Sequence, residues 1–223
     1  MSDLKHEPHA VIFSGGKDST LALDRATRQG YTDVRLVTLY DEASQRVRFH
    51  GVPVAVMRAQ AKALGLPMRC VPTTPATFEA TFLALLGELA AEGVRGAIFG
   101  NIHLADVRGW YEERVRAAGL AHIEPLWGED PSALVRETLA RGYRSLLTCI
   151  DTTRADPAWL GQTISADLVA AFERAGIDAC GELGEYHTLV TDGPLFRHPL
   201  AIQIGAVHSE GDFQQLDVRE AAR

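Results

Sequence analysis

Short runs of consecutive apolar residues alternate, along the first half of the chain, with longer stretches in which apolar positions recur every three or four residues. Ala10 to Phe13 is the first run; it meets the turn Gly15-Gly16, after which Leu21, Ala22, Leu23 and Ala26 predict a helix beginning near Lys17. Val34 to Tyr40 predicts the next strand, and Val54, Met57, Ala61 and Leu64 a helix that Gly65 ends. Met68 to Val71 and Val94 to Phe99 predict a third and a fourth strand. Between them Phe78, Phe82, Leu85, Leu86 and Leu89 line one helix face, and Leu104, Val107, Tyr111, Val115 and Ala118 mark a last helix. Such alternation predicts parallel strands with right-handed crossovers, an α/β fold built on a doubly wound, mainly parallel sheet.

After Pro125-Leu126-Trp127-Gly128 the pattern changes. A helix near Ser132 to Arg141, a strand near Ser145 to Ile150 and a helix near Asp167 to Ala175 lead into a Gly- and Pro-punctuated stretch of loops and strands. The expected organisation is a nucleotide-binding part over residues 1–128 and a smaller α/β substrate-binding part over residues 129–223.

Composition narrows the function classes. With 46% hydrophobic residues among 223, the chain can bury a sizeable core. A net charge of -7 offers no footprint for a nucleic-acid backbone, which calls for clustered Lys and Arg, so no nucleic-acid partner is expected. No apolar run approaches the roughly 20 residues that span a bilayer, and the polar start Met1 to Ala10 has no signal-peptide core; no membrane and a cytoplasmic location are expected. Cys70, Cys149 and Cys180 are widely spaced, which favours reduced thiols over a disulfide or zinc framework. Periodicity does not separate an interface from a core, so a homo-oligomer stays open.

The chemistry concentrates where the first strand ends. Ser14-Gly15-Gly16-Lys17-Asp18-Ser19 sits where open parallel sheets bind ligands, glycines let backbone N–H groups approach phosphate oxygens, and the helix start and Lys17 add positive charge. The spacing excludes the Walker A loop, because Asp18 follows Lys17, and it lacks the third glycine of the dinucleotide fingerprint. The bland alternative is a plain strand-to-helix turn. Gly100 to His103 follows the fourth strand at the same edge, where Asn101 either touches nucleotide or caps a helix. Glu182 and Glu185 lie among Gly181 and Gly184, so both carboxylates are expected to project from one turn, toward ammonium or a cationic group or simply toward solvent. Arg108 either neutralises an anion or pairs on a helix surface, and His50 and His187 are either site groups or ordinary packed or surface histidines.

The hexapeptide resembles the PP-loop of the N-type ATP pyrophosphatases, shared by GMP synthetase, asparagine synthetase and tRNA-thiolating enzymes. Two more blocks narrow the resemblance to the diphthine-ammonia ligase family: Gly100-Asn101-Ile102-His103-Leu104-Ala105-Asp106-Val107-Arg108 through Trp127-Gly128, and Cys180-Gly181-Glu182-Leu183-Gly184-Glu185-Tyr186-His187-Thr188-Leu189-Val190 through Phe196. The resemblance implies a fold of the adenine nucleotide alpha hydrolase (HUP) type and cleavage of ATP between its α and β phosphates, with Mg²⁺ and Asp18 as a metal ligand. It implies that the carboxylate of diphthine, a modified histidine on a translation elongation factor, is adenylated and that ammonia displaces AMP. By the same resemblance Ser14, Gly15, Gly16, Lys17, Asp18, Ser19, Thr20, Tyr40, Gly100 and Asn101 bind ATP, with Lys17, Asp18 and Glu185 catalytic. His50, His103, Arg108, Glu182, Glu185, His187 and Thr188 then face the second substrate. Two rivals remain, a tRNA-modifying sulfurtransferase of the same class, which the missing Cys-x-x-Cys and basic surface disfavour, and an adenine-nucleotide sensor without turnover.

Overall fold

A computed structural model describes residues 4–221; Met1–Asp3 of the polar start and the last two residues lie outside the described residues. Strand β1 (His9–Ile12) is buried along most of its length and pairs in parallel with β2 (Val34–Asp41) on one side and β5 (Gly96–Ile98) on the other. Strand β4 (Met68–Thr73) lies outside β2 and β6 (Ala121–Ile123) outside β5, both parallel, while the two-residue β3 (Arg46–Val47) adds an antiparallel pair at the far end of β2. The winding therefore reverses between β1 and β5. Crevices at such a reversal, beyond the carboxyl ends of the strands, are where doubly wound sheets bind ligands.

Successive β1 residues face opposite sides, as the two-residue period of a strand requires. Val11 joins the core formed with α1 (Lys17–Arg28) and α2 (Val54–Leu64), whereas Ala10 joins the core under α3 (Phe78–Ala91) and α4 (Ala105–Ala117). Gly65, in the left-handed region at φ +70, ends α2 as its sequence predicts. The expected fourth strand contracts to the three residues of β5, and β6, too short to carry a periodic signal, was not legible.

The rest of the chain builds a second, antiparallel sheet. It runs β8-β7-β10-β9, from β7 (Arg144–Asp151), β8 (Tyr186–Asp192), β9 (Ile202–Glu210) and β10 (Phe213–Glu220). Helix α5 (Pro131–Ala140) starts on an Asp130 cap and α6 (Ala166–Ala175) on a Ser165 cap, which fits the polar-to-apolar switch at each point. Helix α1 touches β8 and α2 touches β10, so these helices lie between the two sheets. One continuous core joins Val11 and Phe13 to Leu147, Ile150 and Val218, so the two parts share their interior. Among the described residues no helix is long and apolar enough to cross a membrane.

Candidate active site

The loop after β1 is shaped by contacts that only glycine permits. Gly15 has φ +80, and a Cβ there would stand 2.6 Å from Gln60 Oε1; one on Gly100, in the loop after β5, would meet the Ser19 amide nitrogen at 2.8 Å. The two loops therefore touch at backbone level, across the reversal point. Helix α1 begins at Lys17 with no side-chain cap on Gly16, so its first N–H groups are directed at the loop.

A cavity of about 410 Å³ opens here, and it has two chemically different ends. Ser14, Lys17, Asp18 and Ser19 line a polar end, with Ser14 Oγ 3.2 Å from Ser19 Oγ. Val37, Leu39, Phe78, Phe99, Val107 and Tyr111 line an apolar end, a fit for a flat aromatic base. The remaining wall comes from Arg48, Phe49 and His50 and from Cys180, Gly181, Glu182, Tyr186, His187 and Thr188.

The C-terminal segment holds the loop closed. Thr188 Oγ1 accepts the Lys17 N–H at 3.0 Å, Val190 N–H donates to the Gly15 carbonyl at 2.9 Å, and the Gln60 amide bridges the Gly15 and Val190 carbonyls at 3.0 and 2.7 Å. The Lys17 ammonium, 2% exposed, donates to the Cys180 carbonyl and at 2.9 Å to Asp18, and lies 4.8 Å from the centre of the Tyr186 ring. Burial works against that charge, but Asp18 and its other neighbours outweigh it and raise the Lys17 pKa, so the side chain stays cationic. The two histidines shift the other way from Lys17. Burial, with the nearby Lys17 charge, brings His50 down to about 4, and burial with His50 and Lys17 takes His187 well below its usual value. Both rings, 4.6 Å apart, are neutral at physiological pH, and His50 Nδ1 lies 3.2 Å from the Thr188 carbonyl.

The expected site residues divide accordingly. Ser14, Lys17, Asp18, Ser19, His50, Gly100, Asn101, Glu182, His187 and Thr188 line the cavity, and Gly15 and Gly16 form its backbone support. Thr20 is buried in α1 without a partner for its hydroxyl, and the cavity wall stops at Leu39, one residue short of Tyr40. Arg108 is taken up behind the wall, 3.0 Å from Glu124, 3.6 Å from Glu112 and 4.5 Å over Trp127. His103 points away into an ion pair with Asp178 and, at 3.2 Å, Glu182.

The acidic pair does not project together. Glu182 faces the cavity but accepts the Ile102 and His103 N–H groups at 2.7 and 2.8 Å, anchoring the loop after β5. Gly184, at φ +93, turns the chain so that Glu185 enters β8 from inside, 4% exposed and off the cavity wall, where it accepts the Asp178 N–H at 3.2 Å. Lys17 is likewise interior and not the surface residue that a loop position suggests.

Sequence reasoning missed Gln60, Glu124 and Arg48. Gln60, fully buried on the apolar face of α2, carried a weak signal as a polar residue at a core position; Glu124 and Arg48 carried none. For Mg²⁺, no group of three metal-type side chains gathers among the described residues. Asp18, one-third exposed on the cavity wall, suits an ion that takes most of its ligands from phosphate and water, so the donor set fits Mg²⁺ only alongside a nucleotide.

A parallel α/β sheet with a glycine-shaped, lysine-bearing loop at its reversal point, closed by a second sheet, defines the class: an α/β protein built to bind a phosphorylated ligand. Residues 8–122 match the diphthamide synthase N-terminal domain and residues 130–221 the diphthamide synthase C-terminal domain, and the chain belongs to that family. It is 24% identical over 221 residues to the diphthine–ammonia ligase of Mus musculus, covering 86% of this chain and 82% of that protein. With the Homo sapiens protein of the same name it shares 26% over 232 residues, covering 92% and 86%. A solved U34-tRNA thiolase from Methanococcus maripaludis aligns with a TM-score of 0.39 and 15% identity over 80% of this chain and 70% of that one.

Proposed function

We propose that the protein is an ATP-dependent, AMP-forming amide ligase that adenylates a carboxylate, releases pyrophosphate and then admits ammonia. The acceptor implied by the named relatives is diphthine on an elongation factor. The observation that carries the reading is the buried, charged Lys17 at the polar end of a cavity whose other end is apolar, in a chain of this family.

In this reading the base packs at the apolar end beside Leu39 and Tyr111, with Tyr40 behind it. The phosphates lie against Ser14, Ser19, the glycine backbone and the start of α1. A carboxylate is a poor electrophile, and transfer to the α-phosphate gives it a leaving group; Lys17 and the helix start stabilise the charge that gathers on that phosphate. Asp18 would hold Mg²⁺ when nucleotide is bound, and the ion would supply further neutralisation of phosphate charge. Lys17 must exchange its Cys180 and Asp18 contacts for phosphate, so nucleotide entry is coupled to the Cys180–Thr188 segment that forms the acceptor side. Neutral His50 and His187 place no positive charge on that side, and a ring held near 4 is too weak a base to take the proton of an ammonium ion, so the nucleophile enters as ammonia. Glu182 and Glu185 act in this scheme by fixing loops, and His103 and Arg108 by supporting them.

The test is product analysis with ATP, ammonium and a diphthine-bearing acceptor. AMP, pyrophosphate and an amide in equal amounts are expected; ADP with phosphate, or tight nucleotide binding without turnover, excludes the assignment.

A further inference from the structure

Behind the cavity wall lies a buried polar group that the reading above does not use. Glu124, just after β6, has a side chain only 3% exposed. One of its oxygens accepts the Asn101 amide nitrogen at 2.8 Å, and the other stands 3.0 Å from Arg108 Nε. His122 Nε2 approaches at 3.3 Å from a side chain 2% exposed, and Glu112, itself paired with Arg116, joins through Arg108 at 3.6 Å. Burying a carboxylate is costly, and burial raises the Glu124 pKa; the Asn101 hydrogen bond and the Arg108 charge oppose that, although the oxygen facing Arg108 has no hydrogen-bond partner.

The consequence concerns Asn101. An ionised carboxylate only accepts hydrogen bonds, so the contact puts the amide nitrogen of Asn101 on Glu124 and leaves its carbonyl oxygen for another donor. Asn101 lines the cavity, and its neighbour Gly100 lies against the Asp18–Ser19 backbone, which places this residue beside the phosphate loop. We propose that Glu124 is a positioning residue which, through Asn101, presents a carbonyl acceptor to a hydrogen-bond donor of the reactants: the incoming ammonia or a ribose hydroxyl. This rests on the ligase reading for the ammonia source only.

Three variants test it. Asn101→Leu removes the acceptor, Glu124→Leu removes its holder, and Glu124→Gln keeps a carbonyl that can take the Asn101 amide. Loss of one such bond corresponds to roughly a tenfold change in a constant. Asn101→Leu and Glu124→Leu are expected to raise the KM for ammonium, or the Kd for ATP, about tenfold, with Glu124→Gln close to wild type. A raised ammonium KM at unchanged ATP affinity assigns ammonia. Weakened ATP binding with no further loss for the 2′- or 3′-deoxy nucleotide assigns the ribose.

If Glu124→Leu does not fold, Asn101→Asp decides. It sets two carboxylates together among Arg108, His122, Glu112, Arg116 and Glu182, and its turnover or ATP affinity should recover as pH falls. Constants within twofold of wild type for Asn101→Leu, an effect of Asn101→Leu that a folded Glu124→Leu lacks, or a wild-type pH profile in Asn101→Asp overturns the proposal. Wild-type protein that binds ATP and forms no amide sinks the ligase reading, while the ATP titrations still decide the role of Glu124.

Discussion

The two sheets contribute to the same cavity by opposite means. The parallel sheet offers the carboxyl ends of β1 and β5, where Gly15 and Gly100 allow two loops to touch and α1 directs its N–H groups inward. The antiparallel sheet offers the edge of β8 and the turn before it, and these bind the loop itself: Thr188 takes the Lys17 N–H, Val190 donates to Gly15, and the Cys180 carbonyl takes the Lys17 ammonium. The donors of the glycine loop are thus made in one region and occupied from the other. In the ligase reading proposed above, phosphate and β8 compete for the same donors, and the second sheet is then coupled to nucleotide entry.

The sharpest way to break this comparison is to remove the group both regions share. Lys17→Met is expected to lower the rate of AMP and pyrophosphate formation at saturating ATP by on the order of 10² to 10³, the usual cost of one fixed transition-state contact. Circular dichroism would establish that the variant is folded. Wild-type turnover would remove the loop from the chemistry.

Acid attacks the junction at His50, in the turn after β3, which meets the Thr188 carbonyl of β8. His50, held to about 4 by burial and by Lys17, binds a proton in the unfolded chain near its ordinary 6.5 but not in the folded one. Its contribution to stability is therefore complete above about pH 6.5 and is lost as pH falls through the interval down to about 4. A displacement of that size corresponds to at most about 3 kcal/mol. Denaturant unfolding at pH 7.5 and 4.5 on wild type and His50→Gln should show a smaller acid loss in the variant; parallel losses would mean that His50 is open to water.

Within the parallel part alone, Gly100→Ala forces a methyl group to within 2.8 Å of the Ser19 amide nitrogen, a backbone atom that cannot swing aside. Overpacking of this kind costs about 1–3 kcal/mol. Here the strain should appear as lowered thermal stability together with weaker ATP binding, and a variant with wild-type ATP affinity would mean that the two loops do not act as one.

The phosphate loop was legible in the sequence because its chemistry is local: glycines, a lysine and a strand-to-helix switch fall within a few residues. The C-terminal segment was legible only by resemblance, since nothing in Cys180–Val190 states that Thr188 will meet Lys17 across 171 positions. Glu182 and Glu185 look alike in sequence, and a left-handed Gly184 sends one to the cavity and the other inside. Arg108 was weighed between an anion and a helix-surface pair; the answer, a buried glutamate sixteen positions on, depended on β6, a strand of three residues that periodicity does not reveal.

Thr188 gives the finest test, since Thr188→Val keeps nearly the same shape and deletes one acceptor. The Lys17 N–H then lies buried beside a methyl group, and the apo protein is expected to lose about 1 kcal/mol of stability. A phosphate oxygen offers that N–H a new acceptor, so bound ATP should recover part of the loss. Nucleotide binding only to the folded state stabilises it in proportion to affinity. The rise in melting temperature on adding ATP should accordingly be larger in Thr188→Val than in wild type, because wild type must first surrender the hydroxyl that β8 supplies. An equal rise in the two proteins would mean that the Lys17 N–H stays with Thr188 when nucleotide binds, and the second sheet would then be a fixed wall of the cavity and no competitor for its ligand.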